Sequence, residues 1–476
     1  MNPAAPRNLA PSPDVRHTDF STLPLARALL DGLQQLDFTA MTPVQAHSLP
    51  LALQGADLIV QAQTGSGKTA AFGLVLLHKL NPRWFAVQSL VLCPTRELAD
   101  QVAAEIRRLA RPLPNTKVVT LCGGIPLRGQ VANLEYGAHI VVGTPGRIMD
   151  HLQRGTLHLE QLNTLVLDEA DRMLDMGFLD DIHHIAAQVP AQRQTLLYSA
   201  TYPDTIASLA QRLQQSPHRI TLEAEAAGAQ ITQHFYEIAS EQRLPAVAQL
   251  LNHFRPASTI AFCNTKQQCR DLVDVLQAQG ISALALHGDL EQRERDQVLA
   301  QFANQSCSVL VATDVASRGI DIKELGAVIN VDMARDPAVH VHRIGRTGRA
   351  GEPGLALSLA ARYEKALAER IGQYQGQEVY WEGLQSVPPQ SEEPLRAPMV
   401  TLQILGGRKE KIRPGDVLGA LTGEDGRPML TRAQIGRIQV TDFCTFVGVA
   451  RESAQAACEK LNAGKVKGRS VRARLL

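Results

Sequence analysis

The sequence predicts an α/β protein: two tandem doubly wound parallel-sheet domains followed by a small α+β domain. Three observations carry this expectation. Short apolar runs alternate with amphipathic helical stretches, as buried parallel strands and their crossover helices do. The alternation breaks near 216–230 and again in the proline-rich, polar stretch 385–398. A length of 476 residues exceeds one core and suits about three domains.

Taken in order, MNPAAPRNLAPSPD lacks the apolar core of a signal peptide, so residues 1–16 read as a disordered leader. Residues 17–218 form the first domain, with strands expected at DLIVQA (57–62), SLVLC (89–93), KVVTLC (117–122), HIVVG (139–143), TLVLDEAD (164–171) and TLLYSAT (195–201). Between them lie helical patterns such as ELADQVAAEIRRLA (97–110). A linker is expected at 219–230, then a second domain at 231–384 with strands STIAFCN (258–264), SALALHG (282–288), SVLVATD (308–314), AVINVD (327–332) and GLALSLA (354–360). A second linker, 385–398, leads to residues 399–476, whose apparent order is βαββαβ.

The formal charge of +1 hides an asymmetry: 399–476 holds 14 Lys and Arg against 7 Asp and Glu, leaving 34 against 40 in 1–398. The basic segment fits either an anionic partner or a well-solvated surface, and charge alone does not separate them. No run of 18 apolar residues exists, so no membrane span is expected. Seven scattered cysteines form no C-x-x-C pair; Cys93, Cys263 and Cys307 sit in or beside apolar runs and read as buried free thiols in a reducing cytoplasm. His151, His183 and His184 have no metal-ligand spacing.

The chemistry concentrates in two places. AQTGSGKT (62–69) lies between an expected strand and helix. Backbone N–H groups of Gly65, Ser66 and Gly67 in such a turn cradle phosphate oxygens, Lys68 adds a point charge, and Thr69 offers a hydroxyl to magnesium. Ala62 stands where the general phosphate-loop pattern has its first glycine. LVLDEADRML (165–174) ends an apolar strand in Asp168, the carboxylate such a loop needs for magnesium, with Glu169 placed to orient or deprotonate water.

AQTGSGKT and DEAD (168–171), joined by PTRELADQ (94–101), TPGR (144–147), SAT (199–201) and HRIGRTGRAG (342–351), resemble the DEAD-box RNA helicases over residues 17–380. The resemblance implies two RecA-like domains, ATP and Mg2+ as cofactors, and RNA as substrate. Thr64 joins the phosphate loop, and MTPVQ (41–45) resembles the adenine-reading Q motif, with Thr42 and Gln45 as its contacts. Phe20 and Phe38 match the family's aromatic positions near the base; Asp37 replaces the usual glycine before the second, and Phe38 serves either base or core. VLVATDVASRGIDI (309–322) resembles the motif in which Gly319 and Asp321 meet the nucleotide ribose. Arg346 and Arg349, three apart and read as one helical turn, match arginine fingers for the γ-phosphate. By the same resemblance Arg96, Gly123, Gly124, Thr144, Gly146 and Arg147, and in the second domain Gln292, Arg295 and Thr313, contact RNA backbone, while Ser199 and Thr201 couple hydrolysis to strand separation.

The tail's order suits an RNA-recognition-motif fold, but DFCTFVGV (442–449) fits the stacking pattern only at Phe446 and Val447. Recognition is therefore expected from basic loops: Arg408, Lys409, Lys411 and Arg413, then Lys465, Lys467 and Arg469, although any single lysine here is equally a solvated charge. KIRPGDVLGALTG and KVKGRSVRARLL resemble the C-terminal RNA-binding domain of the bacterial DbpA helicases, which implies targeting to a large-subunit rRNA hairpin. The expectation is a monomeric cytoplasmic RNA helicase acting on assembling large ribosomal subunits. An ATP-gated RNA clamp that holds without unwinding is the alternative of a different class.

Overall fold

The computed structural model describes residues 7–8, 18–62, 65–222, 231–317, 325–348, 353–391, 393–423 and 430–476. They fall into two compact units, one up to residue 222 and one from residue 231 onward.

In the first unit the strands are β1 (Arg7–Asn8), β2 (Leu58–Gln61), β3 (Ser89–Leu92), β4 (Val118–Leu121), β5 (Ile140–Gly143), β6 (Thr164–Leu167), β7 (Gln194–Ser199) and β8 (His218–Thr221). They form one parallel sheet in the order β1-β8-β2-β7-β6-β3-β5-β4. Alternate residues of a strand point to opposite faces, and both faces here are apolar. Val91 joins one core with Val60, Val142, Val166 and Tyr198, whereas Leu90 and Leu92 join the other with Ile59, Leu165, Leu167 and Leu197. This is why the strands read as unbroken apolar runs.

The second unit holds a seven-stranded parallel sheet and a four-stranded antiparallel one. The first comprises β9 (Ile231–Ile238), β10 (Thr259–Phe262), β11 (Ala283–Leu286), β12 (Val309–Ala312), β13 (Ala327–Asn330), β14 (Gly354–Ala361) and β15 (Trp381–Glu382), ordered β11-β12-β10-β13-β14-β9-β15. The second comprises β16 (Met399–Leu405), β17 (Ile435–Val440), β18 (Cys444–Ala450) and β19 (Arg472–Leu475), ordered β17-β18-β16-β19. With helices Pro414–Thr422 and Ala454–Ala463 it gives the expected βαββαβ order and a separate core of Leu402, Ile404, Val417, Val447 and Leu461.

The leader, the start of the first linker and one strand differ from expectation. The linker expected from residue 219 begins inside β8, which pairs with β2 from His218 to Thr221. Arg7 and Asn8 of the leader pair with His218 and Arg219; the rest of 1–16, and 223–230 of the linker, lie outside the described residues. Strand β9 (ITQHFYEI) was not expected, because its burial is only partial at the N-terminal half and its sequence mixes polar and apolar residues.

The open face of the small sheet is partly covered. Thr401 and Gly448 are cross-strand partners on the face away from that domain's helices. Asn304 Nδ2 donates to Thr401 Oγ1 at 3.1 Å, and the Ser306 hydroxyl lies 2.7 Å from the same oxygen. A Cβ on Gly448 would stand 3.2 Å from Asn304 Cβ. The end of helix Gln292–Ala303 thus packs on this face.

Candidate nucleotide site and nucleic-acid interface

The sequence motifs of the first unit gather at the C-terminal ends of its parallel strands, where helix N-termini converge. After β2 the chain turns through Gly65 (φ 88°) and Gly67 (φ 95°), and helix Lys68–Lys79 starts immediately. Gly67 caps that helix in a left-handed conformation, which leaves the first N–H groups facing outward, an anion-binding geometry. Lys68 is buried and its Nζ donates to the Ala62 carbonyl at 2.9 Å. Thr64 lies outside the described residues.

The Q motif braces this turn. Thr42 caps helix Pro43–Leu53, with its N–H donating to Gln45 Oε1 at 2.9 Å, and Gln45 Nε2 donates to the Gly67 carbonyl at 3.2 Å. Phe20 is buried and packs edge-to-face on Phe38 at 6.0 Å, while the Arg108 guanidinium stands 5.1 Å from the Phe38 ring. Asp37 takes the left-handed conformation (φ 60°) that a glycine would adopt, so the turn is preserved.

Asp168, at the end of β6, is buried, and burial lifts its carboxyl to about 6, with Lys68 opposing and Glu169 reinforcing the shift. Glu169 is itself left-handed (φ 51°), donates its N–H to Asp168 Oδ1 at 3.0 Å, and pairs with buried Arg172 at 3.0 Å. Asp171 accepts from both the N–H (3.0 Å) and the hydroxyl (2.9 Å) of Thr201. The SAT segment is therefore joined to DEAD through Asp171, whose role the motif alone does not reveal. Ser199 is buried at the end of β7, its carbonyl accepting from Ala62 N–H at 3.0 Å.

A second ledge follows β3, β4 and β5. Arg96 opens helix Arg96–Leu109, 3.5 Å from Asp100. Gly124 is left-handed, and a side chain on Gly123 would meet open space. Thr144 and Gly146 start helix Pro145–Gln153, and Arg147 Nη1 donates to the Ile125 carbonyl (3.1 Å) and Gln130 Oε1 (3.2 Å). Gln130 also meets buried His151 and donates to the Cys122 carbonyl, so it fixes the ledge from below. No motif marked Gln130; its burial on a polar helix is the only signal.

In the second unit Thr313 follows β12 with its N–H on the Leu286 carbonyl, Gln292 opens its helix and bonds Asp296, and Arg295 Nη2 donates to the Ala316 carbonyl. Arg346 does not lie on the helix that the sequence suggests: helix Pro337–Ile344 is capped at Gly345, and buried Arg346 lies in the following turn. Gly345 caps the helix, and Gly348 in the turn beyond it takes a positive φ of 66°. Arg349, Gly319 and Asp321 lie outside the described residues. The hub of this motif is Arg343, buried, with both Asp314 oxygens at 2.7 Å and the Asp332 carbonyl at 2.7 Å. Nothing in the motif's spacing singles it out.

Comparison with known proteins agrees with this geometry. The DEAD/DEAH box helicase model matches residues 42–209, the helicase conserved C-terminal domain 242–351, and the DbpA RNA binding domain 401–475. The ATP-dependent RNA helicase DbpA of Escherichia coli is 53% identical over 462 residues, covering 96% of this chain and all of that protein. This chain belongs to the DEAD-box RNA helicases. It is an ATP-dependent RNA helicase carrying a DbpA RNA-binding domain. The helicase CshA of Geobacillus kaustophilus is 43% identical over 73% of this chain and 74% of its own length. A solved structure of Saccharomyces cerevisiae Dbp5, bound to RNA and ADP BeF3, matches 78% of this chain and 96% of that one at 30% identity and a TM-score of 0.70.

Among the described residues, the tail's basic groups are placed as follows. Arg408 and Lys409 form a short turn, Lys411 follows in a left-handed conformation (φ 62°), and Arg413 caps helix Pro414–Thr422. Lys467, also left-handed, donates to the Lys411 carbonyl at 2.6 Å, so the two expected basic clusters meet. Lys465 and Arg469 flank it in the same hairpin-like turn. No helix among the described residues is long and apolar enough to cross a membrane.

Proposed function

We propose that this helicase remodels rRNA during assembly of the large ribosomal subunit, addressed there by residues 399–476. The observation that carries the reading is the tail itself: a DbpA RNA-binding domain with its own core and two basic clusters brought together through Lys411 and Lys467. The full-length likeness to Escherichia coli DbpA supports it.

In this reading the turn Gly65–Gly67 and Lys68 hold the phosphates, and Thr42 and Gln45 hold the adenine end, with Phe20 and Phe38 behind it. Thr64, Gly319 and Asp321 complete the nucleotide contacts. A magnesium ion fits: Asp168 is a buried carboxylate lifted to about 6 beside a second acid, an environment that a dication relieves. Asp168 and Thr69 would hold it, and when bound it neutralises phosphate charge. Glu169 orients the attacking water, Arg346 and Arg349 stabilise the charge that develops on the γ-phosphate, and the Asp171–Thr201 contact passes the change to Ser199 and Thr201. Arg96, Gly123, Gly124, Thr144, Gly146, Arg147, Gln292, Arg295 and Thr313 grip RNA backbone, which positions a strand without reading it. The chain works as a monomer in the cytoplasm.

The test is ATPase activity titrated with large-subunit rRNA and with random RNA of equal length, on the intact chain and on residues 1–398. The intact chain is expected to half-saturate with rRNA at a concentration about 10²-fold lower than with random RNA, because a tethered second site raises the effective concentration. The truncated chain is expected to show no preference. Equal preference in both chains overturns the assignment.

A further inference from the structure

An RNA-recognition-motif sheet reads bases with rings on its open face, and that option is closed here. Phe446, which faces that side opposite Gln403, is 1% exposed, and Thr401 and Gly448 lie under Asn304. The tail nevertheless presents one bare ring. Phe443, in the tight turn between β17 and β18, is 62% exposed. Next to it in the sheet, Leu405 is 57% exposed and is the cross-strand partner of both Cys444 and Arg472.

The turn that carries Phe443 is held by a second turn. Gly406 N–H donates to the Phe443 carbonyl (3.1 Å), Arg408 N–H to the Thr441 carbonyl (2.8 Å) and Lys409 N–H to the Asp442 carbonyl (3.1 Å). Glu410 Oε2 takes the Gly407 N–H at 2.7 Å, and Gly407 has no room for a Cβ against the Thr441 and Asp442 backbone. Thr441 Oγ1 accepts from Cys444 N–H at 3.1 Å. The ring is thus exposed on a backbone fixed from both sides. Lys409 Nζ lies 4.1 Å from its centroid, Arg408 stands 3.7 Å from the Asp442 carboxylate, and Arg472 is exposed beside Leu405.

We propose that Phe443 is a stacking platform for one unpaired RNA base, with Lys409 and Arg472 taking the flanking phosphates. The occupant follows from charge: an exposed ring among cations, whose acidic neighbours Asp442 and Glu410 are engaged by Arg408 and by the Gly407 N–H, suits a polyanion with flat apolar faces. The rings of bases stack on phenylalanine whatever their sequence, so the platform adds affinity for unpaired RNA while the basic loops add the address. The proposal rests on the reading of 399–476 as an RNA-binding address and supplies the base contact that its sheet lacks.

The experiment uses the full chain with Phe443→Ala, Phe443→Leu and Phe443→Trp. Each is titrated with purified large-subunit rRNA for ATPase stimulation, and parent and variants are irradiated with that RNA and with random RNA to map nucleotide adducts. The half-saturating rRNA concentration is expected to rise about 5- to 100-fold for Ala and Leu and to return close to the parent value for Trp. Leu preserves apolar packing, so a loss there reports stacking rather than structure. Turnover at saturating RNA stays unchanged, and an adduct appears on Phe443 in the parent. If the parent prefers rRNA but Ala and Leu titrate like it, the platform is overturned and the address stands. If the parent shows no preference, the address falls; an adduct on Phe443 with random RNA then upholds the platform, and adducts only elsewhere, or none, overturn it.

Discussion

Glu169 is held in a conformation that costs a non-glycine residue about 1–2 kcal/mol, left-handed at φ 51° and ψ 52°. The return is placement: the carboxylate is buried against Arg172 while the backbone N–H bonds Asp168. Two adjacent acids are thereby given separate partners, one suited to hold a cation and one to orient water. Glu169→Gln keeps the size and the helix start but removes the carboxylate proposed to orient water. We expect ATP and RNA to bind as in the parent while RNA-stimulated hydrolysis falls about 10²–10⁴-fold, measured as steady-state turnover beside equilibrium binding of a labelled nucleotide. Near-normal turnover would remove Glu169 from the reaction.

At the scale of elements, the phosphate turn depends on the helix before it. A Cβ on Gly67 would stand 2.7 Å from Gln45 Nε2 and 2.8 Å from Thr42 Oγ1, whereas one on Gly65 meets nothing within 4 Å. Both glycines have positive φ, so alanine strains each, but only at 67 does it also displace the Q motif. Gly67→Ala is therefore expected to raise the ATP KM about tenfold more than Gly65→Ala; equal effects would mean that strain alone matters and that the Q motif does not support the turn. Elements of this kind were legible in the sequence. Runs such as SLVL and TLVL are buried on both faces, so periodicity found them, and glycines with a lysine marked the turn. Strand β8 was not legible, because His218 and Arg219 at its start are only partly buried and break the apolar run. Arg346 falls outside the helix because Gly345 caps it one residue earlier, and a three-residue spacing does not encode where a helix stops.

For the whole molecule, the decisive contact is one the sequence did not announce. Thr401, fully buried, bonds Asn304 and Ser306, so the tail's sheet rests on the helicase domain that precedes it. Thr401 sits in an ordinary strand pattern, and Asn304 and Ser306 in an ordinary helix end; nothing local distinguishes a polar residue that meets another domain from one that meets water. On the proposed reading of the tail, docking matters because a tethered address helps the core only if it delivers RNA within reach. A tail fixed on one surface presents its RNA in a narrow range of positions, whereas a free tail spreads the same RNA over a larger volume and lowers its effective concentration. Thr401→Arg places a long cation where two hydroxyl and amide groups meet, yet leaves the core of Leu402, Ile404 and Val447 on the other face untouched. We expect this variant to bind large-subunit rRNA within about twofold of the parent in a filter-binding assay, while the rRNA concentration that half-saturates ATPase rises about tenfold. Binding and stimulation separate only if docking, rather than tethering alone, sets the delivery. If both curves stay with the parent, the linker 385–398 suffices and the contact at Thr401 serves packing alone.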